Sequence, residues 1–108
     1  MIAYLRLEIR IEGAHSLKDK RQVVRSVKDS LRNHFNVAVA ELDASEAWQR
    51  ATLGVVSISD SHDYLAGLMQ NVERHAVRVA NNAGGEVTDS FLDFLSEAEF
   101  GGRLAGES

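Results

Sequence analysis

Five cations on one segment offer the clearest chemistry in this chain. Lys18, Arg21, Arg25, Lys28 and Arg32 step by three, four, three and four. On a helix they fall within a sector of roughly 80° and form a row about 21 Å long. Like charges at this spacing repel, so the row does not stabilise a helix by itself. Its chemical use would be contact with phosphates, on a chain whose net charge is otherwise −4. The plainer alternative is a solvated flank neutralised by carboxylates such as Glu41, Asp43 or Glu46. Both readings stay open at this point.

Other candidates carry less. His15, His34, His62 and His75 show no i,i+4 pair and no HxH spacing, so a metal site would need ligands from separate elements. His15, Ser16 and Asp19 invite a nucleophile–base reading. Adjacent side chains diverge, however, and Ser16 is better explained as a helix cap. Asp60, Ser61 and Asp63 around His62 likewise suit a helix start. Gly84-Gly85 follows a helical pattern instead of preceding one, so it stops a helix and does not cradle a phosphate. Trp48, the only Trp, could stack a base or seal a sheet edge. The strands lack the paired aromatic clusters of an RNA-recognition sheet, Tyr4 alone being a poor substitute. No spacing forces a nucleophile onto a base or two carboxylates together. The expectation is a non-catalytic protein with no cofactor and no metal.

These residues must be carried by regular elements. Leu5, Leu7, Ile9 and Ile11 alternate with Tyr4, Arg6, Glu8 and Arg10, the period of a strand with one apolar face. Ser16 caps a helix predicted from about Leu17 to Asn33, with Leu17, Val24, Val27 and Leu31 as its apolar stripe. The basic row lies beside that stripe, and Gln22, Ser26, Asp29 and Asn33 lie on the far flank. Lys20 falls on the apolar side and is expected to snorkel outward. A second strand runs from Phe35 to Leu42 and a third from about Trp48 to Ser59. Gly54 in the third suggests a bulge or a close backbone approach. Leu65, Leu68, Met69, Val72, Ala76 and Val79 mark a second helix, capped by Asp60 or Ser61 and stopped at Gly84-Gly85. The last strand spans about Glu86 to Leu95. Its facing is ambiguous, because Phe91 and Leu92 are adjacent.

The order βαββαβ predicts a ferredoxin-like α+β fold, a four-stranded antiparallel sheet with both helices on one face. A single domain over residues 1–95 and a flexible tail over 96–108 are expected. The predicted core is Leu5, Leu7, Ile9, Leu17, Val24, Val27, Leu31, Val37, Val39, Leu53, Val55, Leu68, Met69 and Val72. The opposite sheet face would carry Ala38, Ala40, Val56 and Ile58, an apolar patch that a second copy of the chain could cover. The alternative to an RNA-contacting module is therefore a homo-oligomeric interaction domain or a small-ligand regulatory domain that uses this open sheet face, with a dimer as the expected oligomer. The chain has no Cys, which excludes disulfides and thiol catalysis, and no Pro. No apolar run approaches the roughly 20 residues of a membrane span, and no signal peptide is visible, so a cytoplasmic location is expected.

Several strings also resemble a known family. Gly13-Ala14-His15-Ser16-Leu17-Lys18-Asp19-Lys20-Arg21, Phe35-Asn36-Val37-Ala38-Val39-Ala40-Glu41, Trp48-Gln49-Arg50-Ala51 and Leu53-Gly54-Val55 are similar to the YlxP-like family of small bacterial proteins, a domain of unknown function. The likeness in motifs covers about Met1 to Ser59; the second helix and last strand match in pattern only. It implies a ferredoxin-like fold in a bacterial cytosolic protein. Genes of that family often lie among genes for translation initiation and ribosome maturation, which implies a ribosomal or other structured RNA as partner by proximity. The family has no established catalytic residues, and none is carried over. The fold hosts many unrelated functions, so it does not by itself indicate one.

Overall fold

Strand β1 (Ile2–Arg10) shows the alternation directly: Ala3, Leu5, Leu7 and Ile9 are buried, whereas Arg6 and Arg10 are exposed. The computed structural model describes residues 1–42, 47–96 and 98–99. The remaining elements are α1 (Leu17–His34), β2 (Ala38–Glu41), β3 (Arg50–Ile58), α2 (His62–Ala83) and β4 (Glu86–Leu95). The sheet order is β2-β3-β1-β4, with every neighbouring pair antiparallel. This is the ferredoxin-like βαββαβ arrangement. Of the expected tail, residues 97 and 100–108 lie outside the described residues, as does the stretch from Asp43 to Glu46.

The caps are local and complete. Ser16 Oγ accepts from the backbone N–H of Asp19 at 3.2 Å, and Asp19 Oδ2 accepts from the backbone N–H of His15 at 2.9 Å. The side chains of Ser16 and Asp19 thus do capping work. Ser61, not Asp60, caps α2 by accepting from Tyr64 N–H at 3.1 Å. At the other end Gly84 adopts φ 96°, Gly85 N–H donates to Ala80 O at 2.7 Å, and Gly84 N–H donates to Asn81 O at 3.4 Å. That pair of bonds is a Schellman stop.

The core lies between the sheet and the two helices. Leu5, Leu7, Ile9, Val24, Val27, Leu31, Val39, Leu53, Val55, Met69 and Val72 are buried in it as expected. Val37 and Leu68 pack on its margin, and Leu17 is only half-buried. Ala3, Ile11, Ala14, Val23, Ala51, Leu65, Ala76 and Ala80 complete the interior. Two expectations need correction. Lys20 does not snorkel outward: it is 3% exposed, because its position in the first turn of α1 faces inward. Trp48 precedes β3 in a turn and is 48% exposed, so it does not seal an edge.

Candidate functional site

The basic row keeps its helical geometry. Lys18, Arg21, Arg25 and Arg32 are exposed and Lys28 is half-buried. Arg21, Arg25, Lys28 and Arg32 line one side of a groove of about 310 Å³ between α1 and β2, together with Val24, Asp29 and Glu41. Arg32 is anchored there. Its Nη2 donates to Val39 O at 3.0 Å, and its Nη1 lies 4.0 Å from Asp29 Oδ1. Arg21, Arg25 and Lys28 form no ion pair among the described residues. Glu41, one of the expected neutralising carboxylates, does line the groove; Asp43 and Glu46 lie outside the described residues.

The sheet face away from the helices is the second surface. Cross-strand register places Leu95, Ile2 and Ile58 in one row. Asp93, Tyr4, Val56 and Ala38 form the next row, and Phe91, Arg6, Gly54 and Ala40 the third. Ile58 is 69% exposed, Phe91 47% and Val56 39%; Ala38, Ala40, Leu42 and Leu95 are exposed too. The Arg6 guanidinium sits 5.2 Å from the centroid of the Phe91 ring. The charged end of this face is satisfied internally. Thr52 Oγ1 donates to Glu8 Oε2 at 2.6 Å, and Arg10 Nη2 bonds Glu86 Oε2 at 2.8 Å. Phe91 and Leu95 extend the patch beyond Ala38, Ala40, Val56 and Ile58. The adjacency of Phe91 and Leu92 hides their facing from pattern reading, and pairing with β1 assigns it.

A third feature had no signal in local spacing. The fold brings His34, at the end of α1, against His75, in α2, with ring centroids 4.3 Å apart. Phe35 meets His75 edge-on at 5.4 Å. His75 Nε2 lies 2.6 Å from Ser30 Oγ, and Arg78 Nη2 approaches His75 Nδ1 at 3.3 Å. A guanidinium can only donate, so Nδ1 accepts and the His75 proton sits on Nε2. Burial first, then the neighbouring His34 and Arg78, hold His75 below the ordinary histidine pKa. Elsewhere, His62 stacks on Phe94 at 4.3 Å. No group of three or more metal-ligating side chains converges among the described residues.

These observations define the class first: a ferredoxin-like α+β domain with a basic groove beside α1 and an exposed apolar sheet face. Its family is equally plain. Residues 2–91 match the family described as a protein of unknown function (DUF503), and the chain belongs to it. It is 36% identical over 61 residues to the uncharacterized protein YlxP of Bacillus subtilis (strain 168), covering 56% of this chain and 66% of that protein. Two solved structures share the fold at low identity. One is a C-terminal segment of the alpha subunit of aIF2 from Pyrococcus abyssi, with 13% identity and a TM-score of 0.51. That match covers 90% of this chain and 51% of that one. The other is SnoaB, a cofactor-independent oxygenase from Streptomyces nogalater, with 10% identity and a TM-score of 0.56 over 88% of this chain and 93% of that one. At such identities the likeness extends to the fold alone. No helix among the described residues is long and apolar enough to cross a membrane.

Proposed function

We propose that this protein is a non-catalytic module that contacts structured RNA, ribosomal RNA included, through the phosphates along α1. The observation that carries the reading is the groove between α1 and β2. Four cations line it against two carboxylates, on a chain of net charge −4. Arg32 is held by Val39 O, which sets the end of the row, while Lys18, Arg21, Arg25 and Lys28 keep their heads available. Phosphate contacts position without reading bases, so binding is weak and largely blind to sequence. Titration of ribosomal RNA at low and moderate salt tests this. Affinity should fall steeply with salt, and replacing Arg21, Arg25 and Lys28 together by Glu should abolish binding with the fold intact. Absence of binding at low salt, or equal binding by the triple variant, removes the row as a functional site.

The exposed apolar rows of the sheet favour a second reading, self-association through that face by a second copy of the chain. Nine-residue strands at the centre and four strands across give a face of roughly 500 Å² in projection. Protruding side chains enlarge it toward the ~800 Å² per partner of a standard interface. Arg6 and Arg10 of this face are paired with Glu8 and Glu86, whereas among the described residues the Asp93 carboxylate accepts only from the Phe94 N–H, so a covering copy must supply Asp93 with a donor. The two readings are compatible, because such a dimer leaves both copies of α1 on the outside. Sedimentation at tens of micromolar should give a dimer mass, and Val56→Lys should return it to a monomer without unfolding. A monomeric parent defeats the idea.

A further inference from the structure

We propose that the cleft between the end of α1 and the middle of α2 binds a nucleoside phosphate, the phosphate on Arg74 and Arg78 and the base against the rings of His34, Phe35 and His75. The cleft is open to solvent on one side and has a volume of about 710 Å³, within the range of small-ligand sites. This inference does not rest on the basic row. Ser30 and His34 meet α2, whereas Lys28 and Arg32 meet β2, on the other side of α1.

The two guanidinia are the first argument. Arg74 and Arg78 are four residues apart on one helix, so they occupy one face with about 5–6 Å between their β-carbons. Neither has a carboxylate partner among the described residues. Arg74 Nη2 donates to Asn71 Oδ1, and Arg78 Nη2 to His75 Nδ1. Each guanidinium has five N–H donors, so most remain open to one phosphate. Two like charges at this spacing cost the helix stability, and a bound anion offsets that. Glu73, the one acid lining the cleft among the described residues, is engaged elsewhere: it accepts from Ser90 Oγ on β4 at 2.7 Å.

The rings are the second argument. His34, Phe35 and His75 form one contiguous aromatic cluster, with His34 exposed and the other two half-buried. The Ser30 hydroxyl and carbonyl hold both imidazoles: His75 through Nε2, and His34 through Nδ1, which donates to Ser30 O at 2.8 Å. A fixed aromatic wall beside two guanidinia suits a planar base joined to a phosphate. Inorganic phosphate would use the cations and leave the wall bare; a nucleoside would do the reverse.

The test follows the ring resonances of His34 and His75 by NMR while the full chain is titrated with adenosine monophosphate, adenosine, inorganic phosphate or a short oligoadenylate. Adenosine monophosphate should shift both rings saturably. The variant carrying Arg74→Gln and Arg78→Gln, both at exposed positions, should bind it at least about tenfold more weakly through loss of charge-assisted hydrogen bonds. Adenosine and inorganic phosphate should each bind more weakly than the nucleotide. The Arg21, Arg25 and Lys28 triple variant should bind it unchanged, which separates this site from the basic row. In the triple variant, which lacks the basic row, an oligoadenylate bound more tightly than the mononucleotide supports the site with an unpaired RNA residue as its source, and equal or weaker binding supports it with a free nucleotide. No shift at millimolar nucleotide, an undiminished shift in the double variant, or adenosine or inorganic phosphate binding as well as the nucleotide would overturn the proposal.

Discussion

The imidazole of His75, in α2, lies 4.3 Å from that of His34, at the end of α1, and both are tied to Ser30. The contact couples the helix layer to pH. Burial, His34 and Arg78 all disfavour the protonated form of His75, so its folded pKa lies below 6.5. Just under pH 6.5 the unfolded chain then binds more protons at this residue than the folded one. The stability it contributes is complete above about pH 6.5 and is lost as pH falls through the folded pKa. Proton NMR of the ring should show the lowered value, and His34→Ala should raise it. His75→Gln should flatten the acid-side fall of the melting temperature below pH 6.5. A His75 titrating at or above 6.5 would contradict the geometry.

Leu7→Ala tests the central core. Leu7 is fully buried, between Leu53 of β3 and Ser90 of β4 in the ladder. Removing its isobutyl group leaves a cavity that the paired strands cannot close. The expected loss is about 2–5 kcal/mol by denaturant unfolding. A variant as stable as the parent would mean that this face of β1 does not meet the helices.

Gly84→Ala tests the end of α2. Gly84 holds φ 96°, where a β-carbon is strained, and the two Schellman bonds depend on that conformation. Nothing lies within 4 Å of where the new β-carbon would stand, so the cost is backbone strain without a clash. Denaturant unfolding should show a loss of about 1 kcal/mol.

Gly54→Ala distinguishes a close approach from a bulge. The β1–β3 register runs unbroken through Arg6 and Gly54, so no bulge occurs there. Instead the Leu42 side chain covers Gly54, its Cδ1 2.9 Å from where a β-carbon would stand. Leu42 is half exposed on the open face and can swing aside. The substitution should therefore cost less than about 1 kcal/mol, within the usual range for a surface change with some repacking. It should also raise the solvent exposure of Leu42, readable as a changed methyl chemical shift. An unaltered Leu42 would place that side chain elsewhere.

The sequence by itself determined the elements whose signal is local. The alternation of Leu5, Leu7 and Ile9 specified the buried face of β1. The steps of Val24, Val27 and Leu31, and of Leu65, Met69 and Val72, specified the inward sides of both helices. Ser16, the pair Asp60-Ser61 and Gly84 marked their ends, because a cap is completed by backbone groups within a few residues. The basic row was legible for the same reason, since a helix puts residues three and four apart on one face. The tertiary structure alone decided what depends on pairing between distant segments. Glu8 opposes Asp89 while Ile9 opposes Val87, so Thr88 is the extra residue that shifts the facing of β4. No single alternation runs through that strand, and only its partner β1 assigns Phe91 and Leu95 to the open face. The meeting of His34 with His75 beside Arg74 and Arg78 has the same origin. It depends on where α1 crosses α2, which packing on a shared sheet sets and which no spacing along either helix encodes.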